Sequence, residues 1–376
     1  MDVIAVNDVL SRSRATLGFA LILVALMILA ACQVLASEPS DDSATDATHR
    51  ILIVHSYSEE FSWTRDLHEG IIDGLAQEGL NRDRDYELQT FYMDTRINFT
   101  SPQQIEEQAA EALKALQDFA PDVLFVTDDI ALEHVAVRHV EENPDDPVPT
   151  VFVGINIDPT VYSPINSLEA PGGTITGALE RIPYSEAFAT AKRLFPDATR
   201  VVILGDAGTA TQAARAALMS GDRSADPGTF EVLDFLLLEE FEQWKDSVVD
   251  FQDKADLIAI LNYHQLRDAG GVIVEPAEVI DWMVAQNSLP ELGLVADWAQ
   301  DGILVAVGNS GLKTGAYAGA QGAEVLNGAD PSTMPIVDPK LTDANFNLAR
   351  ARILGIEFPP DEVAAADSVF ESIGEP

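Results

Sequence analysis

Cysteine occurs once in the 376 residues, at position 32, so no disulfide can form within the chain and its stability has to come from packed cores. Basic residues are scarce as well. Only 6 Lys and 16 Arg face 62 Asp+Glu, which leaves a formal net charge of −40. A surface this acidic repels phosphates instead of releasing their counterions, and that excludes a nucleic-acid partner. Hydrophobic residues still make up 47%, so the chain is not intrinsically disordered. The length fits about two domains, each able to bury a core. Few Lys beside many acids fits two habitats equally: an extracytoplasmic space at ordinary salt, or high salt that screens the self-repulsion.

Catalytic motifs are also missing. No Gly-x-Ser-x-Gly elbow occurs. The stretch 308–314 ends in Lys313-Thr314 like a phosphate loop, but Leu312 stands where a Gly is required and the spacing is wrong. A helix start capped by Ser310 is the expectation there. The six His are scattered, and His134 and His139 are five apart, off a common helix face. No Ca²⁺ loop of EF type is present. The chain is therefore read as a non-enzyme with no catalytic residue, no metal site and no cofactor.

What is present begins with a targeting segment. After Arg12 and Arg14, residues 15–31 carry no charge and are mostly Leu, Ile, Ala and Val. This is an apolar core of signal-peptide type, short for a span of about 20 residues. It ends in Leu29-Ala30-Ala31-Cys32, which resembles a lipobox, and Cys32 is the expected lipidation site at the start of the mature protein. Residues 33–49 are small, polar and acidic, as a flexible tether between lipid and fold would be.

From residue 50 onward, strands and helices alternate. Short apolar runs at 50–56, 86–93, 122–127 and 150–153 read as buried strands. The stretches 63–80, 101–119 and 130–142 between them have helical spacing, with Ser101 and Pro102 marking a helix start. The alternation resumes with strands at 173–176, 200–204, 231–237, 257–261, 292–295 and 302–305. Helices are expected at 184–195, 209–219, 240–252, 276–285 and 311–326, the last rich in Gly and Ala and suited to close packing. This is an α/β chain of two doubly wound lobes. Lobe 1 is expected over 50–156 plus about 302–328. Lobe 2 is expected over 157–301 plus a C-terminal segment at about 329–376.

Ligands of open α/β sheets sit beyond the carboxyl ends of the strands. With two lobes facing each other across a hinge, those ends line one cleft. The loops aimed there are Ser56-Tyr57-Ser58 with Trp63, then Asp94-Thr95, Thr127-Asp128-Asp129, Asn156, Asp206, Asn262-Tyr263 and Asp297-Trp298. They offer hydroxyls and amides to orient polar groups, carboxylates to hold a cation, and aromatics to stack on an apolar moiety. An Asp at a strand end is as readily a helix cap, and Tyr57, Trp63 or Trp298 can serve as plain packing.

Longer stretches carry a family resemblance. His55-Ser56-Tyr57, Trp63-Thr64 and Gly70-Ile71 look like the opening of the ABC-transporter substrate-binding protein family that includes tryptophan- and tyrosine-type binders. The stretches 121–129 and 151–156 are similar to the family's third and fourth strand ends. Asn327-Gly328-Ala329-Asp330-Pro331, Met334-Pro335-Ile336, Ala349-Arg350-Ala351 and 354–359 follow in the family's order. Residues 182–186 and the Asp297-Trp298 turn look more like the branch found as sensor domains of histidine kinases.

The resemblance implies a type I periplasmic-binding-protein fold of two Rossmann-like lobes with a hinge and an interlobe cleft. It also implies capture of a small-molecule ligand, such as an amino acid or related compound, for an ABC permease. Among aromatic-amino-acid binders, Ser56, Thr127 and Asn156 would hold a carboxylate, Asp206 or Asp128 an ammonium, and Tyr57 or Tyr263 a ring. The alternative is a ligand-dependent sensory protein that signals to a membrane partner. Either way the expected protein is an extracytoplasmic monomer with a lipid anchor, on the outer face of a cytoplasmic membrane or in a periplasm.

Overall fold

A computed structural model describes residues 48–220 and 226–374. The apolar segment, Cys32 and most of the tether lie outside the described residues. Two sheets organise the rest. The first has five parallel strands in the order β2-β1-β3-β4-β5: β1 (His49–His55), β2 (Tyr86–Tyr92), β3 (Val123–Thr127), β4 (Thr150–Ile155) and β5 (Ile175–Leu179). The second has seven, ordered β12-β11-β10-β9-β8-β6-β7. They are β6 (Arg200–Asp206), β7 (Glu231–Leu238), β8 (Leu257–Ile260), β9 (Glu291–Gly293), β10 (Val305–Asn309), β11 (Thr342–Asn347) and β12 (Ser368–Phe370). The pairing of β10 with β11 is antiparallel and the others are parallel. Each sheet is covered on both faces by helices. That is why the runs Ile51–Val54, Val123–Val126 and Leu257–Ile260 are apolar without alternation and fully buried.

The chain passes between lobes at three places. β5 still belongs to the first sheet, and residues 180–183 lead from it into the helix Tyr184–Leu194 over the second. β10 belongs to the second sheet, and the helix after it, Gly311–Leu326, packs on the first lobe. The chain then returns along residues 334–341, where Leu179 N donates to Val337 O at 2.8 Å, into β11. Sequence spacing placed the first switch too early, near 156–172, and assigned 302–305 to lobe 1. The alternation of strand and helix looks the same whichever sheet a strand joins, so only the pairing of β5 with β4 and of β10 with β9 separates the lobes.

The helix Gly311–Leu326 lies directly against Ser62–Gln77. A Cβ on Gly315 would sit 2.5 Å from Leu67 O, and one on Gly70 2.3 Å from Leu312 O. The two backbones touch, and only glycine permits it. In the second lobe the C-terminal segment is held by a fully buried ion pair. Arg350 faces Glu291 and also donates to Val284 O and Asn287 O, each at 2.9 Å. Asn287 Nδ2 closes the network on Glu291 at 2.6 Å.

Candidate functional site

The carboxyl ends of β1, β3 and β4 bring together the first-lobe half of a site. At the end of β3 the chain turns on Asp128, whose φ of +64° lies in a left-handed region that Asp tolerates better than most residues. The turn leaves the Asp128 side chain buried, with 2% of the residue exposed. Trp63 Nε1 donates to its Oδ1 at 3.0 Å, and Thr127 Oγ1 lies 3.1 Å from its Oδ2. Gly154 leaves the room required, since a Cβ there would stand 3.3 Å from Asp128 Oδ1. Burial, with the neighbouring charge of Glu180 second, raises the Asp128 pKa well above the usual carboxylate range.

Residues at the lobe crossing complete this half. Glu180, just after β5, accepts from Asn156 Nδ2 at 3.3 Å and from Asn309 Nδ2 at 3.4 Å. Burial pushes its pKa up to about 7, against the pull of those amides. Arg181 is spent on the backbone, donating to Ile155 O at 2.9 Å and to Asn156 O and Glu180 O at 2.8 Å. Asp129 accepts from the backbone N–H groups of Asn156 and Ile157, at 3.2 and 3.1 Å. A cation acts on the same Tyr57 phenol as these acids. The Arg96 guanidinium lies 4.4 Å from the Phe61 ring centroid and 5.8 Å from that of Tyr57. Burial and then Asp128 raise the Tyr57 pKa, so its phenol stays neutral.

The second lobe contributes aromatics. His264 sits 4.7 Å from Trp298 and 4.4 Å from Tyr263, ring to ring. Burial lowers the His264 pKa, and the positive charge of Arg96 across the cleft lowers it further. Ser62 Oγ donates to Asp297 Oδ2 at 3.2 Å, a direct bond between the lobes.

The structure sorts the residues named from sequence into two groups. Tyr57, Trp63, Thr127, Asp128 and Asn156 stand together, and Asp297 reaches them across the gap through Ser62. The others are turned inward. Ser56 Oγ donates to Thr127 O at 2.6 Å and accepts from Ala131 N at 2.8 Å. Asp206 accepts from Gly208 N, Thr211 Oγ1 and Gln265 N, each at 3.1 Å, and acts as a loop and helix cap. Asn262 Nδ2 donates to that same Thr211 hydroxyl at 3.1 Å. Tyr263 is fully buried and donates to Asp301. Sequence reasoning left out Arg96, Glu180, Asn309 and His264. Glu180 and Asn309 had a readable signal, since each sits where a strand run ends beside a crossing. Arg96 had one too, since it directly follows Asp94-Thr95 in the loop after β2, a loop the sequence already aimed at the cleft.

The fold that carries these residues has known parallels. Residues 64–370 match the family model described as "ABC transporter substrate binding protein". The chain belongs to that family. Small-molecule binding and partnership with an ABC transporter are typical of the family, which is extracytoplasmic and typically non-enzymatic. A ligand-free, open substrate binding protein with adhesive properties from Clostridium difficile is similar to this family member at 15% identity and a TM-score of 0.66, covering 86% of this chain and 100% of its own. A domain from Streptococcus pneumonia solved in complex with L-Trp reaches 19% and 0.59, covering 86% and 100%. A conserved domain protein from Vibrio cholerae reaches 19% and 0.58, covering 86% and 99%. At these identities the shared property is the fold, that of type I periplasmic binding proteins. No curated protein matches by sequence. In this substrate-binding protein a half-open cavity of about 460 Å³ lies elsewhere, lined by Phe241, Lys245, Asp268 and Ile273, and shares no residue with the interlobe set.

Proposed function

We propose that this lipoprotein captures a small zwitterionic solute, an α-amino acid or a close relative, in the cleft between its lobes and delivers it to an ABC importer. The observation that carries the reading is the meeting of both signs of charge around the Tyr57 ring. Arg96 stands before Phe61 and Tyr57, while Asp128, Asp129 and Glu180 gather at the strand ends and the crossing. A carboxylate finds a cation there and an ammonium finds acids, with Trp63 and Trp298 available to an apolar side chain. The domain in complex with L-Trp is consistent with a solute of this size. Residues 1–31 act as a lipoprotein signal segment, Cys32 carries the lipid, and 32–49 form the tether of a monomeric protein.

A thermal-shift screen of the purified protein tests the solute class. Amino acids at 100 times their Kd should stabilise it by about 2.7 kcal/mol. Stabilisation by sugars alone would reject the class, and none by any solute would reject the reading. Arg96→Ala and Asp128→Asn should each weaken a hit at least tenfold, while Asn262→Ala leaves it within twofold. Cys32→Ser should release the protein from membranes, and retained attachment would point to an uncleaved anchor.

A further inference from the structure

Asp128 is the inner end of a hydrogen-bond chain that runs away from the cleft. Thr127 Oγ1 lies 3.1 Å from Asp128 Oδ2 and 3.0 Å from His55 Nδ1. His55 Nε2 then lies 3.1 Å from His68 Nδ1. His55 is 0% exposed and stacks on Tyr92 at 5.0 Å between centroids. His68 is partly exposed on the helix Ser62–Gln77. The chain therefore joins a buried carboxyl to a ring that water can reach.

Every link of this chain works in both directions. With Asp128 ionised, His68 Nδ1–H donates to His55 Nε2, His55 Nδ1–H donates to Thr127 Oγ1, and the Thr127 hydroxyl donates to Asp128. With Asp128 protonated, each donor becomes an acceptor and the sense reverses, leaving His68 with its proton on Nε2. The conversion balances. His68 Nε2 takes a proton from water and passes its Nδ1 proton to His55 Nε2. His55 passes its own Nδ1 proton to Thr127, which gives its hydroxyl proton to Asp128. Neither end state leaves an imidazolium. Burial, with His68 second, pushes the His55 pKa down to about 3, so that ring is a neutral carrier at neutral pH.

We propose that Thr127, His55 and His68 form a proton path through lobe 1 by which the cleft carboxyl of Asp128 exchanges its proton with water without opening the cleft. The charged and titratable groups around it set where the exchange occurs. Burial and the carboxylates of Glu180 and Asp129 favour the acid form of Asp128, while the Trp63 N–H and the Thr127 hydroxyl, by donating to it, favour the ionised form; the neutral Tyr57 phenol stands beside it. Glu180 is itself tempered by Arg181, Asn156 and Asn309. At the outer end His68 faces Arg82, Glu59, Glu69 and the Tyr92 ring. Neutral, Asp128 offers an O–H to a solute; ionised, it offers a charge to a cationic nitrogen. The path goes beyond the solute reading, and its test uses no solute, so either can fail alone.

The test is long-range ¹H–¹⁵N spectroscopy of the full chain labelled at histidine, which reads the protonated ring nitrogen directly. As pH rises, His55 and His68 should both change from the Nε2–H to the Nδ1–H tautomer at one shared midpoint, together with loss of the protonated-carboxyl infrared band. Asp128→Asn, whose amide N–H donates permanently to Thr127, should hold both rings as Nε2–H at every pH. Tautomers independent of pH, separate midpoints for the two rings, or a change that survives in Asp128→Asn would each overturn the path. His68→Phe should slow relaxation of that infrared band after a pH jump at least tenfold, and unchanged relaxation would overturn it equally. Should the variants fail to fold, the wild-type titration still decides.

Discussion

Glu180 shows how one side chain couples the site to stability. Its pKa is raised from 4.5 to about 7, so between those values it is protonated when folded and ionised when unfolded. The folded state binds the extra proton, and stability falls as pH rises through this window, at up to about 1.4 kcal/mol per unit. Glu180→Gln removes that loss. The variant should match the wild type in urea unfolding at pH 4 and exceed it by about 1–3 kcal/mol at pH 8; equal stability at both would show that Glu180 is solvated. His55 acts with the opposite sign. It stays neutral in the fold down to about 3 and is protonated below 6.5 when unfolded, so its contribution is lost as pH falls. The Arg350–Glu291 pair makes a sharper case, because both partners are fully buried. Arg350→Met should cost about 3–5 kcal/mol, mainly by leaving Glu291 buried and unpaired. Adding Glu291→Leu to Arg350→Met should recover part of that in the same urea titration.

At the scale of elements, the pairing of the helices Ser62–Gln77 and Gly311–Leu326 is the joint that carries the chain back to the first lobe. In a helix with free space, Gly→Ala gains about 0.5–1 kcal/mol. Gly315→Ala should do the reverse and cost about 1–3 kcal/mol, because the added methyl meets the Leu67 carbonyl, which is backbone and cannot swing aside. The sign of the change in melting temperature decides between the two. This helix was readable from its small residues, and so were the buried strands β1, β3 and β4 from their unbroken apolar runs. Strand membership was not. Nothing in the run at 302–309 says that it pairs beside β9, because parallel pairing is a non-local contact with no local pattern.

For the whole molecule the −40 charge sets a long-range term that no single contact relieves. Screening shortens from about 10 Å at 0.1 M salt to about 3 Å at 1 M. The melting temperature should therefore rise by several degrees between those concentrations of NaCl. A flat response would mean that the existing ion pairs, such as Arg200–Asp256 and Lys313–Asp343, already balance the field.

Composition and periodicity were enough for the α/β class and two doubly wound lobes, and the resemblance of local motifs was enough for the family that the match over 64–370 shows. These properties depend on residues near one another along the chain. Tertiary structure alone decided which strand-end residues face the cleft. Asp128 and Asp206 read alike in sequence, an acid after an apolar strand. The first is turned by a left-handed backbone against Trp63 and Glu180, whereas the second is used up by Gly208, Thr211 and Gln265. The difference lies in partners up to 65 residues away, and no local pattern records them.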